Sequence, residues 1–258
     1  MDGKVLIKAN VRSSLELMPG TRLLWLDAPA IAAAAHPGQF LMIRCGEDHD
    51  PVLRRPLSIH RTNSSGGVAL LFEVVGRGTR WLAERVPGDC VDVLGPLGNG
   101  FMVRDDARDV LLVAGGIGIA PLAFLAEKMT EEGKKRVILL HGARRGELLL
   151  PEGQLPGATT VVDLSEDGSR GRRCLATDVM DEYAGEADQV FACGPAAMYR
   201  AMAELECLKG KSVQVSLEER MACGLGACYV CTIRTTKGLK QVCRDGPVFE
   251  LADILWER

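Results

Sequence analysis

Val110-Leu111-Leu112-Val113-Ala114-Gly115-Gly116-Ile117-Gly118-Ile119-Ala120-Pro121 decides the fold of this 258-residue chain. Five consecutive apolar residues ending in glycine read as a strand buried on both faces, as in a parallel sheet. The glycines then turn the chain into a helix expected over Leu122–Glu132, with Pro121 suited to its first turn. The spacing is G-x-G-x-x-P rather than the G-x-G-x-x-G of a dinucleotide fingerprint. The physics is shared: backbone free of side chains approaches a pyrophosphate at a helix N-terminus.

Downstream, strands are expected at Arg136–His141, Thr159–Leu164, Gln189–Cys193 and Ser212–Leu217, with helices near Thr177–Tyr183 and Pro195–Leu208. Strands alternating with helices predict a parallel, helix-flanked sheet. Cys193-Gly194-Pro195 ends a strand at the carboxyl edge of that sheet, where ligands bind. Cys193 has two readings, a side chain facing a nicotinamide or a small residue filling a strand end. Arg144 and Arg145 have two readings, a nucleotide phosphate or solvent, of which solvent is preferred; Asp167-Gly168-Ser169 reads as a turn, and His141 as a satisfied core histidine rather than a catalyst.

Upstream the rhythm is short strands between turn residues: Thr21–Leu26, Gln39–Cys45, Val68–Val75 and Cys90–Leu94. That spacing predicts a small antiparallel barrel. Arg54-Arg55-Pro56-Leu57-Ser58-Ile59 places two arginines at the head of an apolar strand, either a grip for a pyrophosphate or a solvated loop. Gly76-Arg77-Gly78-Thr79 precedes a helical run over Thr79–Val86. Thr79 reads as its N-cap, leaving free amides at a helix start.

The tail from Met221 to Cys243, MACGLGACYVCTIRTTKGLKQVC, carries Cys223, Cys228, Cys231 and Cys243 in the order C-x4-C-x2-C, eleven residues, C. Three thiolates within nine residues can wrap one inorganic centre, with the fourth closing it; this order is that of plant-type [2Fe–2S] sites. Gly224 and Gly226 suit the unusual backbone angles of such a wrap. Zinc ribbons pair two C-x2-C knuckles instead, and the absence of a nearby histidine removes Rieske and His-containing zinc variants. A [2Fe–2S] cluster is the expectation.

Composition excludes more than it suggests. Hydrophobic content of 47%, 25% charged residues and a net charge of −3 leave no footprint for nucleic acid or an anionic membrane. No apolar run reaches the roughly 18 residues of a membrane span, and MDGKVLIKAN has no signal-peptide core. Nine cysteines, an odd number, argue for a reducing compartment, so a cytoplasmic location is expected. Cys45, Cys90, Cys174, Cys193 and Cys207 lie outside the tail, and most read as small core residues. The expected fold class is β plus α/β: an antiparallel β-barrel over 1–104, a parallel-sheet nucleotide-binding domain over 105–216 and a small cluster module over 217–258.

R-P-L-S at Arg55–Ser58, G-R-G-T at Gly76–Thr79, G-G-I-G-I-A-P at Gly115–Pro121 and C-G-P at Cys193–Pro195 together resemble the ferredoxin–NADP reductase superfamily. The tail from Glu218 to Cys231, with Val242-Cys243-Arg244-Asp245-Gly246-Pro247-Val248-Phe249, is similar to the electron-transfer subunits of class 1B dihydroorotate dehydrogenases. That resemblance implies FAD on the barrel, NAD+ as substrate on the α/β domain and a [2Fe–2S] cluster on the four cysteines. It implies flavin contacts from Arg55, Pro56, Leu57 and Ser58, from Phe72, Glu73 and Val74 on the next strand, and from Gly78 and Thr79 at the pyrophosphate. Gly116, Gly118, Pro121, Cys193 and Gly194 carry the implied nucleotide contacts. It further implies an FMN-bearing catalytic partner in a heterotetramer of two chains of each kind, and no side chain acting as acid or base. Reductase arms of hydrogenases and transhydrogenases share the layout, some with aspartate for one cysteine; all four positions here are Cys. The eleven-residue final gap departs from plant-type ferredoxins, where it is far longer.

Overall fold

Closure of the N-terminal sheet rests on one strand long enough to serve two neighbours. In the computed structural model, which describes residues 4–46, 53–131, 133 and 135–256, β1 (Val5–Met18) pairs through Val5–Asn10 with β6 (Cys90–Leu97) and through Asn10–Met18 with β2 (Thr21–Asp27). The remaining barrel strands are β3 (Phe40–Ile43), β4 (Arg55–Thr62) and β5 (Gly67–Glu73), giving the closed antiparallel order β1-β2-β5-β4-β3-β6. Inward side chains such as Leu24, Leu41, Ile59, Leu70 and Val93 are buried together, each contributing roughly 1.5–3 kcal/mol relative to exposure. Helix α1 (Pro29–Ala34) sends Ile31 into this core, and α2 (Arg77–Ala83) sends Leu82.

The second sheet has six strands in the order β14-β11-β10-β7-β8-β9. They are β7 (Asp109–Gly115), β8 (Arg136–Ala143), β9 (Thr159–Ser165), β10 (Gln189–Cys193), β11 (Val213–Ser216) and β14 (Val248–Glu250). Five are parallel, but β14 runs antiparallel to β11. The five strands expected to form a parallel sheet do so, and β14 adds an antiparallel edge to them. The added edge comes from the C-terminal segment, which returns to cap a strand edge that would otherwise be open. Helix α3 (Ile119–Glu131), α4 (Met180–Ala184) and α5 (Ala196–Glu204) cover the faces. α3 starts three residues before the expected Leu122, because the glycine turn is itself a short 3-10 helix over Gly116–Gly118; Glu132, its expected end, lies outside the described residues.

Between β11 and β14 lie the hairpin β12 (Thr232–Thr235) and β13 (Gly238–Gln241), then the single turn α6 (Val242–Asp245). This small module shares a continuous buried cluster with both other parts: Cys231, Val242 and Cys243 pack with Phe40, Met42 and Leu97 of the barrel and Val215 of the sheet. Asn99 clamps it from the barrel side, its backbone N–H donating to the Gly246 carbonyl at 2.6 Å and its side-chain amide to Arg244 and Asp245 carbonyls.

A candidate iron–sulfur loop and nucleotide crevice

The eleven residues between Cys231 and Cys243 are consumed by the β12–β13 hairpin, its turn and Val242. Antiparallel pairing of Thr232 with Gln241 brings the chain back beside its start. The Val242 N–H accordingly donates to the Cys231 carbonyl at 2.9 Å, and the Cys243 N–H reaches the Cys231 sulfur at 3.4 Å. Cys223 and Cys228 sit on the loop before the hairpin. Gly224, Tyr229 and Gly226 adopt left-handed angles (φ +71°, +61° and +82°), which tighten the loop so that its amides face inward. Leu225 and Ala227 donate to the Cys223 sulfur at 3.3 Å each, and Gly226 donates to the Cys243 sulfur at 3.2 Å.

Backbone amides aimed at sulfur favour thiolate over thiol. Burial pushes the Cys223 thiol up, but bonds from the Leu225, Cys228 and Ala227 amides and the Cys228 thiol outweigh it and bring it down to about 6. Cys243 moves the other way, raised by burial and by the neighbouring Cys231 thiol. The Cys228 thiol acts on Cys223, and Cys231 and Cys223 both act on Cys243, so the four side chains neighbour one another. Among the described residues no three cysteine, histidine or carboxylate side chains converge on one metal-ion position. Four neighbouring thiols with backbone amides directed at the sulfurs form a donor set that fits a two-iron cluster. Gln241 adds a second mark of fit: its buried side-chain amide finds no hydrogen-bond partner among the described residues.

On the barrel, residues 55–58 pair with β3 alone, because the β4–β5 ladder begins only at Ile59 and Leu70. The wall is thus open between Arg55–Ser58 and the end of β5, and the start of α2 stands beside the opening. Gly78 packs under the Arg55 guanidinium, where a Cβ would lie 2.8 Å from Nε. The two motifs separated in sequence are therefore one site. Of the two arginines, Arg54 is committed elsewhere, paired with Asp92 at 2.8 Å. Thr79 is not the N-cap: α2 begins at Arg77, and Thr79 on its first turn accepts the Val75 and Gly76 N–H groups at 3.0 Å each. A hydroxyl at the third helical position thus reaches back to the N-cap amide and the one before it, the reverse arm of a capping box, rather than to the first-turn amides that an N-cap would satisfy. Phe72 points into the barrel core, while Glu73 and Val74 line a neighbouring cavity.

That cavity, about 750 Å³, lies between the barrel and the carboxyl edge of the second sheet. Its floor is Gly115, Gly116 and Ile117 at the end of β7 and Gly194 and Pro195 at the end of β10. Connections leave β7 toward β8 on one side and reach β10 on the other, the switch point at which such sheets open a crevice. Gly118 makes the crevice possible, since a Cβ there would lie 2.0 Å from the Cys193 carbonyl oxygen. Pro121 is buried in α3. Cys193 itself is buried at the strand end with its sulfur 3.8 Å from the Ser216 carbonyl, outside the cavity lining. Burial above all, then Glu218, raises its thiol far above the ordinary range.

Several residues enter the site that the sequence reading passed over or assigned to solvent. Arg144 lines the cavity, as do Glu166 and Glu218. Burial and then the Glu73 carboxylate raise Glu218. Arg145 faces Glu147 at 2.9 Å with its side chain exposed, as expected. His141 is buried but not satisfied: neither ring nitrogen has a hydrogen-bond partner among the described residues, and burial lowers it to about 3. His60, two residues past Ser58, donates from Nδ1 to the Ala120 carbonyl at 2.9 Å, tying the barrel to the first turn of α3. Its strand is already rich in polar residues (RPLSIHRT), so the sequence offered no signal that set it apart.

Comparison with known proteins agrees with this layout. The iron–sulfur cluster binding domain of dihydroorotate dehydrogenase B matches residues 218–255, and an oxidoreductase NAD-binding domain matches residues 112–204. The dihydroorotate dehydrogenase B (NAD(+)) electron transfer subunit of Desulforamulus reducens is 39% identical over 96% of this chain and 98% of its own length. That of Caldanaerobacter subterraneus is 42% identical over 86% of this chain and 87% of its own. This chain belongs to that family. Among solved structures, an NADH-dependent reduced ferredoxin–NADP oxidoreductase described for flavin-based electron bifurcation superposes with a TM-score of 0.86. It is 30% identical and covers 99% of this chain and 92% of that one. A ferredoxin reductase of carbazole 1,9a-dioxygenase, TM-score 0.70 at 23% identity over 82% of this chain and 69% of that one, shares the fold. The family assignment accords with the expected resemblance, and the cluster-domain match favours iron–sulfur over zinc on the four cysteines. No helix among the described residues is long and apolar enough to cross a membrane.

Proposed function

We propose that this chain is the electron-transfer subunit of an NAD-linked dihydroorotate dehydrogenase, carrying electrons from an FMN-bearing catalytic partner to NAD+. The observation that carries the reading is four cysteines on a hairpin-closed loop whose amides are aimed at their sulfurs, in a chain related over 96% of its length to such subunits. FAD and a [2Fe–2S] cluster, when bound, supply hydride and one-electron chemistry that amino-acid side chains do not offer.

The protein's part is to hold and orient. Residues 1–104 serve as the FAD barrel, with Arg55 and Gly78 at its open wall supplying charge and close backbone approach for a pyrophosphate. Pro56, Leu57 and Ser58, with the segment Phe72, Glu73 and Val74, would hold the flavin. Thr79 orders the turn at the start of α2. Residues 105–216 take NAD+, with Gly116 and Gly194 in the crevice, and Gly118, Pro121 and Cys193 packing its floor. Residues 217–258 carry the cluster on Cys223, Cys228, Cys231 and Cys243, with β14 anchoring them to the sheet. No side chain is assigned as acid or base; the work is placement of nicotinamide against flavin. The complex is a cytoplasmic heterotetramer of two chains of each kind.

The test is to tag the chain in its host, purify what stays bound, and assay dihydroorotate-dependent NAD+ reduction. Activity in the complex and not in the isolated chain is expected. An iron–sulfur flavoprotein complex without that activity overturns the assignment in favour of a hydrogenase or transhydrogenase arm.

A further inference from the structure

Gln241 ends β13 immediately before Val242 and the ligand-position Cys243, and it is 3% exposed. Its backbone is accounted for, the N–H donating to Asp245 at 2.7 Å. Its side chain is not: Nε2 and Oε1 both lack a hydrogen-bond partner among the described residues. Native interiors rarely bury a carboxamide unpaired at both ends. The amide lies against Gly226, where a Cβ would come within 3.0 Å of Oε1. Gly226 is the residue whose own N–H meets the Cys243 sulfur at 3.2 Å. A half-turn about the terminal bond exchanges the positions of Nε2 and Oε1, so either can face that side.

We propose that Gln241 is a tuning residue of the iron–sulfur centre: its side-chain N–H donates to an inorganic sulfur of the cluster and raises the reduction potential. The proposal rests on the iron–sulfur reading of the four cysteines. Its chemistry is that of an uncharged donor beside sulfur. Reduction adds an electron and makes the sulfurs better acceptors, so a donated bond stabilises the reduced form more than the oxidised one. No proton is transferred. The loop amides of Leu225, Gly226 and Ala227 do the same from the backbone; Gln241 is the side-chain member of that set, and so the one that substitution can remove.

The experiment is an anaerobic redox titration of the purified complex, with the reduced cluster followed by electron paramagnetic resonance. Gln241→Met keeps length and burial while deleting both polar ends. We expect a more negative cluster midpoint at unchanged iron and sulfide content, with the flavin midpoint unmoved. An unchanged cluster midpoint overturns the proposal. Wild-type protein labelled with 15N in glutamine side chains tests it without any variant. A hyperfine coupling between that nitrogen and the reduced cluster supports it; no coupling overturns it. Failure of the underlying reading is separately visible, as wild-type protein that binds no iron or sulfide.

Discussion

Gly224 lies so close over Met42 that a Cβ built on it would stand 2.6 Å from Met42 Cγ and 3.2 Å from Sδ. Met42 in turn pairs across the barrel wall with Pro56 of the R-P-L-S strand. The side chain thus packs the space between the cysteine loop and the strand assigned to flavin. Met42→Ala should cost about 2–5 kcal/mol, as core truncations do. It should also slow electron arrival at the cluster while leaving NADH-driven flavin reduction unchanged. Anaerobic stopped-flow traces at flavin and cluster wavelengths separate the two rates, and equal slowing of both would count against this route.

Arg55 and Gly78 share one side of the open barrel wall, so either can be removed to test the same site. Arg55→Ala should weaken FAD retention by roughly 10- to 100-fold, the worth of a charge-assisted bond. Gly78→Ala should do so too, by displacing the guanidinium that lies 2.8 Å from its Cβ position. Flavin content after dialysis, or titration of apoprotein with FAD, reads the effect. Full retention in both variants would remove the pair from the flavin site.

Gly118→Ala places a methyl 2.0 Å from the Cys193 carbonyl oxygen, a clash with backbone that no rotamer change relieves. Destabilisation of about 3 kcal/mol or more is expected, at the upper end of single substitutions. The Gly116 position has open space around its Cβ, so Gly116→Ala should be milder, limited to the strain of its φ of +55°. Thermal denaturation of the two variants should order them accordingly.

Burial, then the Arg61 charge, lowers His60 to about 4, against a weaker raising effect of its bond to Ala120. The native state therefore holds the neutral ring. Stability is full above the unfolded value near 6.5, and falls as pH drops from there toward 4, because the unfolded chain binds the extra proton. The drop is about 3 kcal/mol at most. His60→Asn, which can still donate to Ala120, should lose less stability than wild type over that interval. Chemical denaturation at pH 7 and pH 5 checks the sign.

Cys228→Ser should leave NADH-driven flavin reduction intact and abolish dihydroorotate-to-NAD+ transfer. Cys228 is the exposed member of the four, so folding should survive the change. Full transfer in the variant would take the cluster out of the path.

Local pattern carried much of this molecule. The apolar run into Gly115–Pro121, the strand–helix alternation and the C-x4-C-x2-C spacing depend on neighbours within a few residues, and each reads directly from the chain. What escaped was set by residues far apart. β1, absent from the expected strands, mixes polar with apolar residues and pairs with two partners; α2 begins at Arg77, and Thr79 on its first turn reaches back to the Val75 and Gly76 N–H groups. β14 is three residues long and exists only because β11 offers an edge. Likewise, nothing local announced that Arg54 would turn to Asp92 while Arg55 met Gly78, or that His60 would reach Ala120. By itself the sequence determined which chemistries the chain can host, since thiol spacing and glycine turns are covalent facts. Only the tertiary structure decided which side chains share a site, because burial and hydrogen-bond pairing are satisfied across the fold rather than along the chain.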